Sequence, residues 1–304
     1  MKIRQWWPDS LGYESMPVNS SPLSAHLGMA ERRLHKAGVD SPRLSAELLL
    51  AKILDTDRLW VLTHSDTPLD SSQASAFSRL VDRRATGVPM AYLLESKEFF
   101  GLEFSVTSDV LIPRPETEVL LEAAGALWPR DEYLSFVDVG TGSGVIGIGI
   151  AHMFPNSRGV LTDLSHRALH VAQRNVAAHH LDTRLGVICS DLLSAFGPGS
   201  MQAVLSNPPY VSSVAYWEMS FEIRHFEPVQ ALWSGMHGIE VHVKLLRQAR
   251  CTLQSGGWIC LEIAPDQSDA LQQCLTEKWP RDWTEVSIVQ DWAGRDRVLT
   301  ARRV

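Results

Sequence analysis

Phe136-Val137-Asp138-Val139-Gly140-Thr141-Gly142-Ser143-Gly144 is the stretch on which the fold turns. Its first four residues read as a short buried strand, and the glycines then turn the chain into a helix. Glycine lets backbone pass close to a ligand, and the turn exposes the helix's first N–H groups. Such a loop suits a pyrophosphate or the carboxylate of an amino acid. The spacing is GxGxG, which differs from the GxGxxG of the dinucleotide fingerprint.

Outward from this stretch, strands and helices alternate from Leu134 onward. Strands are expected near 134–139, 158–162, 184–190, 202–206, 257–263, 283–290 and 297–302, with helices near 144–154, 165–180, 238–254 and 266–278. Only Asp291-Trp292-Ala293-Gly294-Arg295 separates the last two strands, too little for a parallel crossover, so they are expected to be antiparallel. The fold class is therefore α/β: a doubly wound, seven-stranded sheet with an antiparallel last strand.

Two further strand ends carry acids. Asp163 closes the second strand, where a carboxylate can accept both hydroxyls of an adenosine ribose. Asp191 closes the third, within reach of the exocyclic amine of adenine, with Leu192 to pack on the ring. Either acid can instead cap the helix that follows.

After the apolar run Ala203-Val204-Leu205-Ser206 comes Asn207-Pro208-Pro209-Tyr210, at the carboxyl end of a strand where open α/β sheets hold their ligands. Two prolines remove two backbone donors and leave a stiff turn with free carbonyls. Asn207 adds a side-chain carbonyl, so a planar NH2 group can meet two acceptors at once, with the Tyr210 ring on its π face. The alternative is a plain strand-ending turn.

Ahead of the sheet, residues 1–21 are rich in Pro, Ser and Trp and read as a loose tail. Residues 22–90 read as a small helical domain: Leu23, Leu27, Ala30 and Leu34 recur at helical spacing, Ser41-Pro42 opens a second helix, and a third runs from Asp70 to Gly87. Residues 91–112 read as a β-hairpin linker through Phe99-Phe100-Gly101, and residues 113–304 form the sheet domain.

Composition sets outer bounds. The 304 residues are 45% hydrophobic and 21% charged, an ordinary globular balance. A net charge of −7 opposes phosphate neutralisation, so nucleic acid is not the expected partner. The four cysteines show no CxxC spacing; Cys189 and Cys260 are expected as small buried residues, with neither disulfide nor metal site. The amino terminus lacks a signal-peptide pattern and no apolar run is long enough to span a bilayer, so the chain is expected to be cytoplasmic.

Glycine loop, ribose acid and NPPY, in this order, resemble the class I S-adenosylmethionine-dependent methyltransferases, with their Rossmann-like sheet. Leu111-Ile112-Pro113-Arg114-Pro115-Glu116-Thr117-Glu118, Phe226-Glu227-Pro228, Leu261-Glu262-Ile263 and Asp291–Arg297 narrow the resemblance to the PrmC/HemK family. It covers nearly everything from Pro22 to Arg303. NPPY is shared with DNA adenine methyltransferases, whereas the PRPETE segment and the helical domain are more specific. Two departures stand out: Ala264 where the family commonly has Gly, and Phe100 where Tyr or Trp is commoner. Neither is expected to touch the chemistry.

The resemblance implies methyl transfer from S-adenosylmethionine, with S-adenosylhomocysteine as product, to the side-chain nitrogen N5 of a glutamine in peptide-chain release factors. It makes Asn207, Pro208 and Tyr210 the catalytic set, with Pro209, Phe99 and Phe100 completing the glutamine pocket. Gly140, Thr141, Gly142, Ser143, Gly144, Asp163, Asp191, Leu192 and Asn207 would hold the cofactor, and Thr117 would face its methionine end. Arg114 and Glu116 either brace the cofactor loop through a salt-bridged turn or contact a ligand directly. The helical domain would dock the protein substrate, and a monomer is expected. Three alternatives stay open: a ribosomal-protein glutamine as substrate, an adenine N6-methyltransferase, and a binding protein without catalysis.

Overall fold

The structure is a computed structural model and describes residues 21–304. The expected tail therefore lies, Ser21 apart, outside the described residues. The chain divides into two compact units after Leu94.

The first unit is helical: α1 (Leu23–Lys36), α2 (Pro42–Leu54), α3 (Arg58–Thr63), α4 (Ser71–Ala85) and α5 (Met90–Leu94). The stripe Leu23, Leu27, Ala30 and Leu34 is buried against Leu49, Leu50 and Phe77. Proline occupies the first turn of α2, where its missing N–H removes no hydrogen bond. Asp70 and Gln73 close a capping box at the start of α4, and Gly87 follows its end in the left-handed region. Helices α3 and α5 were not anticipated, because six and five residues are too few to show a period.

The second unit begins with the hairpin β1 (Ser96–Phe99) and β2 (Leu102–Ser105), then α6 (Glu118–Gly125) after a 3-10 turn at Pro115–Thr117. There follow β3 (Ser135–Val139), α7 (Val145–Met153), β4 (Arg158–Asp163), α8 (His166–Ala178), β5 (Leu185–Cys189) and β6 (Met201–Ser206). An excursion of small elements comes next: β7 (Val211–Ser212), α9 (Ser213–Glu218), α10 (Phe221–Phe226) and β8 (Trp233–Gly235). The chain closes with α11 (Glu240–Thr252), β9 (Leu253–Glu262), α12 (Ser268–Gln273), β10 (Trp283–Gln290) and β11 (Asp296–Arg303).

The main sheet has seven strands in the order β10-β11-β9-β6-β3-β4-β5, with β11 antiparallel to both its neighbours and the rest parallel. The doubly wound class and the antiparallel end are thus as expected. Helices α6, α7 and α8 pack one face, and α11 and α12 the other. Strand β3 serves both: Phe136 points into the first core, Val137 and Val139 into the second. Its neighbours matter most for function. From β3 the chain winds outward through β4 and β5, then returns to β6 on the opposite side of β3. The carboxyl ends of β3 and β6 therefore flank a topological switch point.

The excursion over 211–235 was not anticipated. Neither α9 nor α10 buries a residue, and Val214, Trp217 and Phe221 are exposed, so no apolar period marks them. Cys189 also differs from expectation. It is exposed, because β5 is an edge strand with only one sheet neighbour, whereas Cys260 in β9 is fully buried.

Close packing across β3 and β4 depends on Gly159, where an added Cβ would run into the fully buried Phe136 ring. Gly159→Ala is expected to lower stability by about 1–3 kcal/mol through overpacking, measured by urea unfolding.

Candidate active site

The glycine loop leaves β3 with Gly140 and Gly142 at φ of 68° and 55°. A Cβ built on either would meet nothing within 4 Å, because both face an open cleft. The other loop residues face inward. Thr141 is buried and its hydroxyl donates to Asp138 Oδ2 at 2.6 Å, while Gly147 N, in the first turn of α7, donates to the same oxygen at 2.9 Å. Ser143 is buried as well, and its carbonyl accepts from Asn175 Nδ2 at 2.7 Å. Gly144 is the N-cap of α7. Thr141, Ser143 and Gly144 therefore shape the loop from below, leaving Gly140 and Gly142 as its cleft-facing members.

Asp163 stands across from the loop. Its Oδ2 accepts from Gly142 N at 3.0 Å and its Oδ1 from Ser165 N at 2.9 Å. Turn-forming and ligand-binding roles are compatible, because each carboxylate oxygen keeps a further lone pair. Burial raises its pKa, against those backbone donors. Asp191 lines the same cleft but is paired with Lys244 of α11, at 2.9 and 2.7 Å to its two oxygens. Leu192, beside it, forms apolar wall and has a positive φ of 53°.

The corner after β6 completes the cleft. Asn207 and Pro209 line it, Pro208 is buried, and Tyr210 is half-buried. Asn207 Nδ2 donates to Thr117 Oγ1 at 3.0 Å, which leaves Oδ1 as the free end of the amide. Tyr210 Oη donates to Glu262 Oε1 at 3.3 Å, and burial raises the phenol's pKa.

Two expectations need correction. Thr117 is buried behind Asn207 and forms no part of the cleft wall, because the 3-10 turn at Pro115–Thr117 tucks its hydroxyl inward. Phe99 is a core residue, 2% exposed and packed on Phe104, so it has no free face for a substrate. Phe100, at the hairpin turn with φ of 54°, is half-buried, and its N–H donates to Glu118 Oε1 at 3.0 Å.

Four supports went unassigned in the sequence. Glu262, at the end of β9, is fully buried; burial pushes its carboxyl up to about 7 against the Thr117 and Tyr210 hydroxyls and the charge of Arg297. Gln267 Nε2 donates to the backbone oxygens of Tyr210 and Gly238, at 2.9 and 3.1 Å. The segment that departs from the family pattern at Ala264 thus reaches the corner after all, since Gln267 Oε1 accepts from Ala264 N. Glu227 bonds both Arg114 and the Ile112 N–H, tying together two loops that line the cleft, at Asp109–Leu111 and Pro228–Ala231. Arg114 is thereby the bracing residue of a salt-bridged turn. Asn175 of α8 joins the glycine loop to β2, bonding both backbone groups of Ser105. Glu262 and Glu227 lay inside motifs already visible; nothing in the local pattern marks Asn175 or Gln267.

Residues 26–94 match the family model of the PrmC N-terminal domain, and residues 116–222 that of the methyltransferase small domain. A release factor glutamine methyltransferase of Koribacter versatilis is 37% identical over 275 residues, covering 90% of this chain and 96% of the relative. One from Nitratidesulfovibrio vulgaris is 38% identical, covering 94% and 97%. The chain belongs to the release factor glutamine methyltransferase family. Among solved structures, the T. thermophilus 16S rRNA N2 G1207 methyltransferase, in complex with AdoMet and guanosine, superposes with a TM-score of 0.50 at 18% identity. It covers 69% of this chain and 50% of its own, a likeness of fold alone. No helix among the described residues is long and apolar enough to cross a membrane.

The acid beneath the family's glycine loop gives a pH test. Asp138 is fully buried with Oδ1 unpartnered, and burial raises its pKa to about 7. Between about pH 4 and about 7 the folded chain holds a proton that the unfolded chain releases, so this group's contribution to stability falls as pH rises. Asp138→Asn should give a melting temperature that declines less steeply than wild type between about pH 5 and about pH 8, followed by circular dichroism.

Proposed function

We propose that this chain transfers the methyl group of S-adenosylmethionine to the N5 nitrogen of a glutamine in peptide-chain release factors, releasing S-adenosylhomocysteine and one proton of the amide. The observation that carries the reading is the orientation of Asn207, whose NH2 is spent on Thr117 and whose oxygen remains to accept. The relatives' names support a release factor over a ribosomal protein, and the net charge of −7 speaks against nucleic acid.

The cleft suits the cofactor. Gly140 and Gly142 leave room where any side chain would intrude, and Asp163 offers lone pairs to ribose hydroxyls. Leu192, Leu111 and Leu164 give apolar wall for the adenine. When bound, S-adenosylmethionine supplies an electrophilic sulfonium methyl.

The residues of this chain then have to aim and desolvate a poor nucleophile. A carboxamide nitrogen shares its lone pair with its carbonyl, so alignment in a dry site matters more than a strong base. Asn207 Oδ1 and the Pro208 carbonyl each accept one N–H of the glutamine amide, which fixes the nitrogen and favours the positive charge that grows on it. Tyr210 and the half-buried Phe100 flank the amide plane. Glutamate is refused, because its carboxylate would set oxygen against oxygen. The helical unit, outside this chemistry, binds the folded protein substrate.

The test is mass spectrometry of a purified release factor incubated with the enzyme and cofactor. A single added methyl on one glutamine is expected, and a Gln→Glu version should stay unmodified; methylation of DNA alone would overturn the reading. Asn207→Ala is expected to slow turnover by about a hundredfold to a thousandfold with little change in cofactor affinity. Asp163→Ala should do the reverse, weakening the cofactor in equilibrium titration. For the helical unit, Leu59 and Leu62 of α3 are exposed, and replacing both with Ser should raise KM for the folded factor but not for a short glutamine peptide.

A further inference from the structure

Among the described residues, thirteen large apolar side chains are exposed, and six of them fall in or just after the excursion that follows the proline corner. They are Val214, Trp217, Phe221, Val229, Trp233 and Met236. Exposed apolar residues scattered singly are ordinary, whereas a concentration of them on one segment marks a surface that meets a partner.

These residues belong to one connected body. Arg224 of α10 lies over the Trp217 ring of α9 at 5.8 Å, and Tyr216 Oη reaches the Arg224 carbonyl at 3.5 Å. Trp233 Nε1 of β8 donates to Ser213 Oγ at 3.1 Å, and that hydroxyl donates to the Gly235 carbonyl at 3.0 Å. Helices of six residues that bury none do not persist on propensity alone. Here the Ser212 and Ser220 side chains cap α9 and α10. The rings are thus held in place while Trp217 stays 71% exposed, which leaves little ordering cost for a partner to meet.

The same body is continuous with the pocket. It starts one residue after Tyr210, where Val211 N donates to the Leu232 carbonyl at 2.9 Å. Its far end brings Val229 in among Pro228, Gln230 and Ala231, which line the cleft. Glu227, just ahead of them, is fastened to Arg114 and to Ile112 N. A glutamine that enters at this corner brings the protein that carries it against these rings. A second copy of this chain seated there would cover the entrance and compete with substrate.

We propose that the exposed aromatic face of α9 and α10 is a docking surface for the release factor, taking an apolar patch of that protein beside its target glutamine. The inference rests on the glutamine-methylation reading of the pocket. Trp217 is the expected anchor, because Trp and Arg carry much of the binding energy at protein interfaces and Arg224 already stacks on it.

The test titrates a folded release factor into enzyme loaded with S-adenosylhomocysteine, which binds without turnover, and sets the result beside steady-state kinetics. Trp217→Ser combined with Phe221→Ser should weaken binding and raise KM for the factor by about tenfold to a hundredfold. Its kcat at saturating factor, its cofactor Kd and its KM for a short glutamine peptide should match wild type. Trp217→Phe should cost less than Trp217→Ser. Tyr133→Ser, which removes a ring as exposed as Phe221 but placed ahead of β3, should change nothing. Should the double variant misfold, Val214→Ser with Met236→Ser tests the same body. A folded variant with wild-type affinity and KM would overturn the proposal, and so would equal losses on the peptide. A wild-type dimer that the variant dissolves in sedimentation, with KM unchanged, would assign the face to a second copy and overturn it as well. A wild type that binds the factor but methylates no glutamine would instead overturn the functional reading, with the titration still judging the docking face.

Discussion

The parallel pairing of β3 with β6, Val139 opposite Ser206, is the constraint on which the site depends. It sets the glycine loop and the proline corner next to each other at the sheet's carboxyl edge, although more than sixty residues separate them in sequence. Ser206 Oγ donates to the Val139 carbonyl at 2.6 Å, so the two strand ends are joined by a side chain as well as by the ladder. Everything downstream is placed relative to that seam: Asp163 one strand to one side, Glu262 one strand to the other.

Beneath the seam lie two buried acids, Asp138 bonded to the Thr141 hydroxyl and Glu262 to the Tyr210 phenol. Burying a carboxyl is unfavourable, and in each case one oxygen has no partner. What they give in exchange is orientation. Asp138 fixes the loop to the start of α7, and Glu262 fixes the Tyr210 side chain of the corner to the end of β9. Rigid polar supports of this kind trade stability for a site that is ordered before ligand arrives.

The sheet was legible because β3, β4 and β6 are short apolar runs ended by glycine, aspartate or proline, and because α8, between β4 and β5, carries a clear amphipathic period. The corner at Asn207 was legible because two prolines leave few conformations open. Phe99 was misjudged for a different reason. The strand ends at Phe99, which turns inward, while Phe100 already belongs to the hairpin turn, and the sequence did not say where between the two the strand stops. Thr117 was placed in the right neighbourhood but on the wrong side of Asn207, since a 3-10 turn rotates its hydroxyl inward. Asn175 and Gln267 act through contacts between distant segments, which no local pattern carries. The elements of the 211–235 excursion escaped because they are short and bury almost nothing.

Pro208 has one more consequence, for the lifetime of the residue before it. Asparagine side chains age to aspartate when the next residue's backbone nitrogen attacks the carboxamide, and that attack needs an N–H which proline lacks. The ring that stiffens the turn therefore also shields Asn207 from the spontaneous chemistry that would turn its acceptor into a charge.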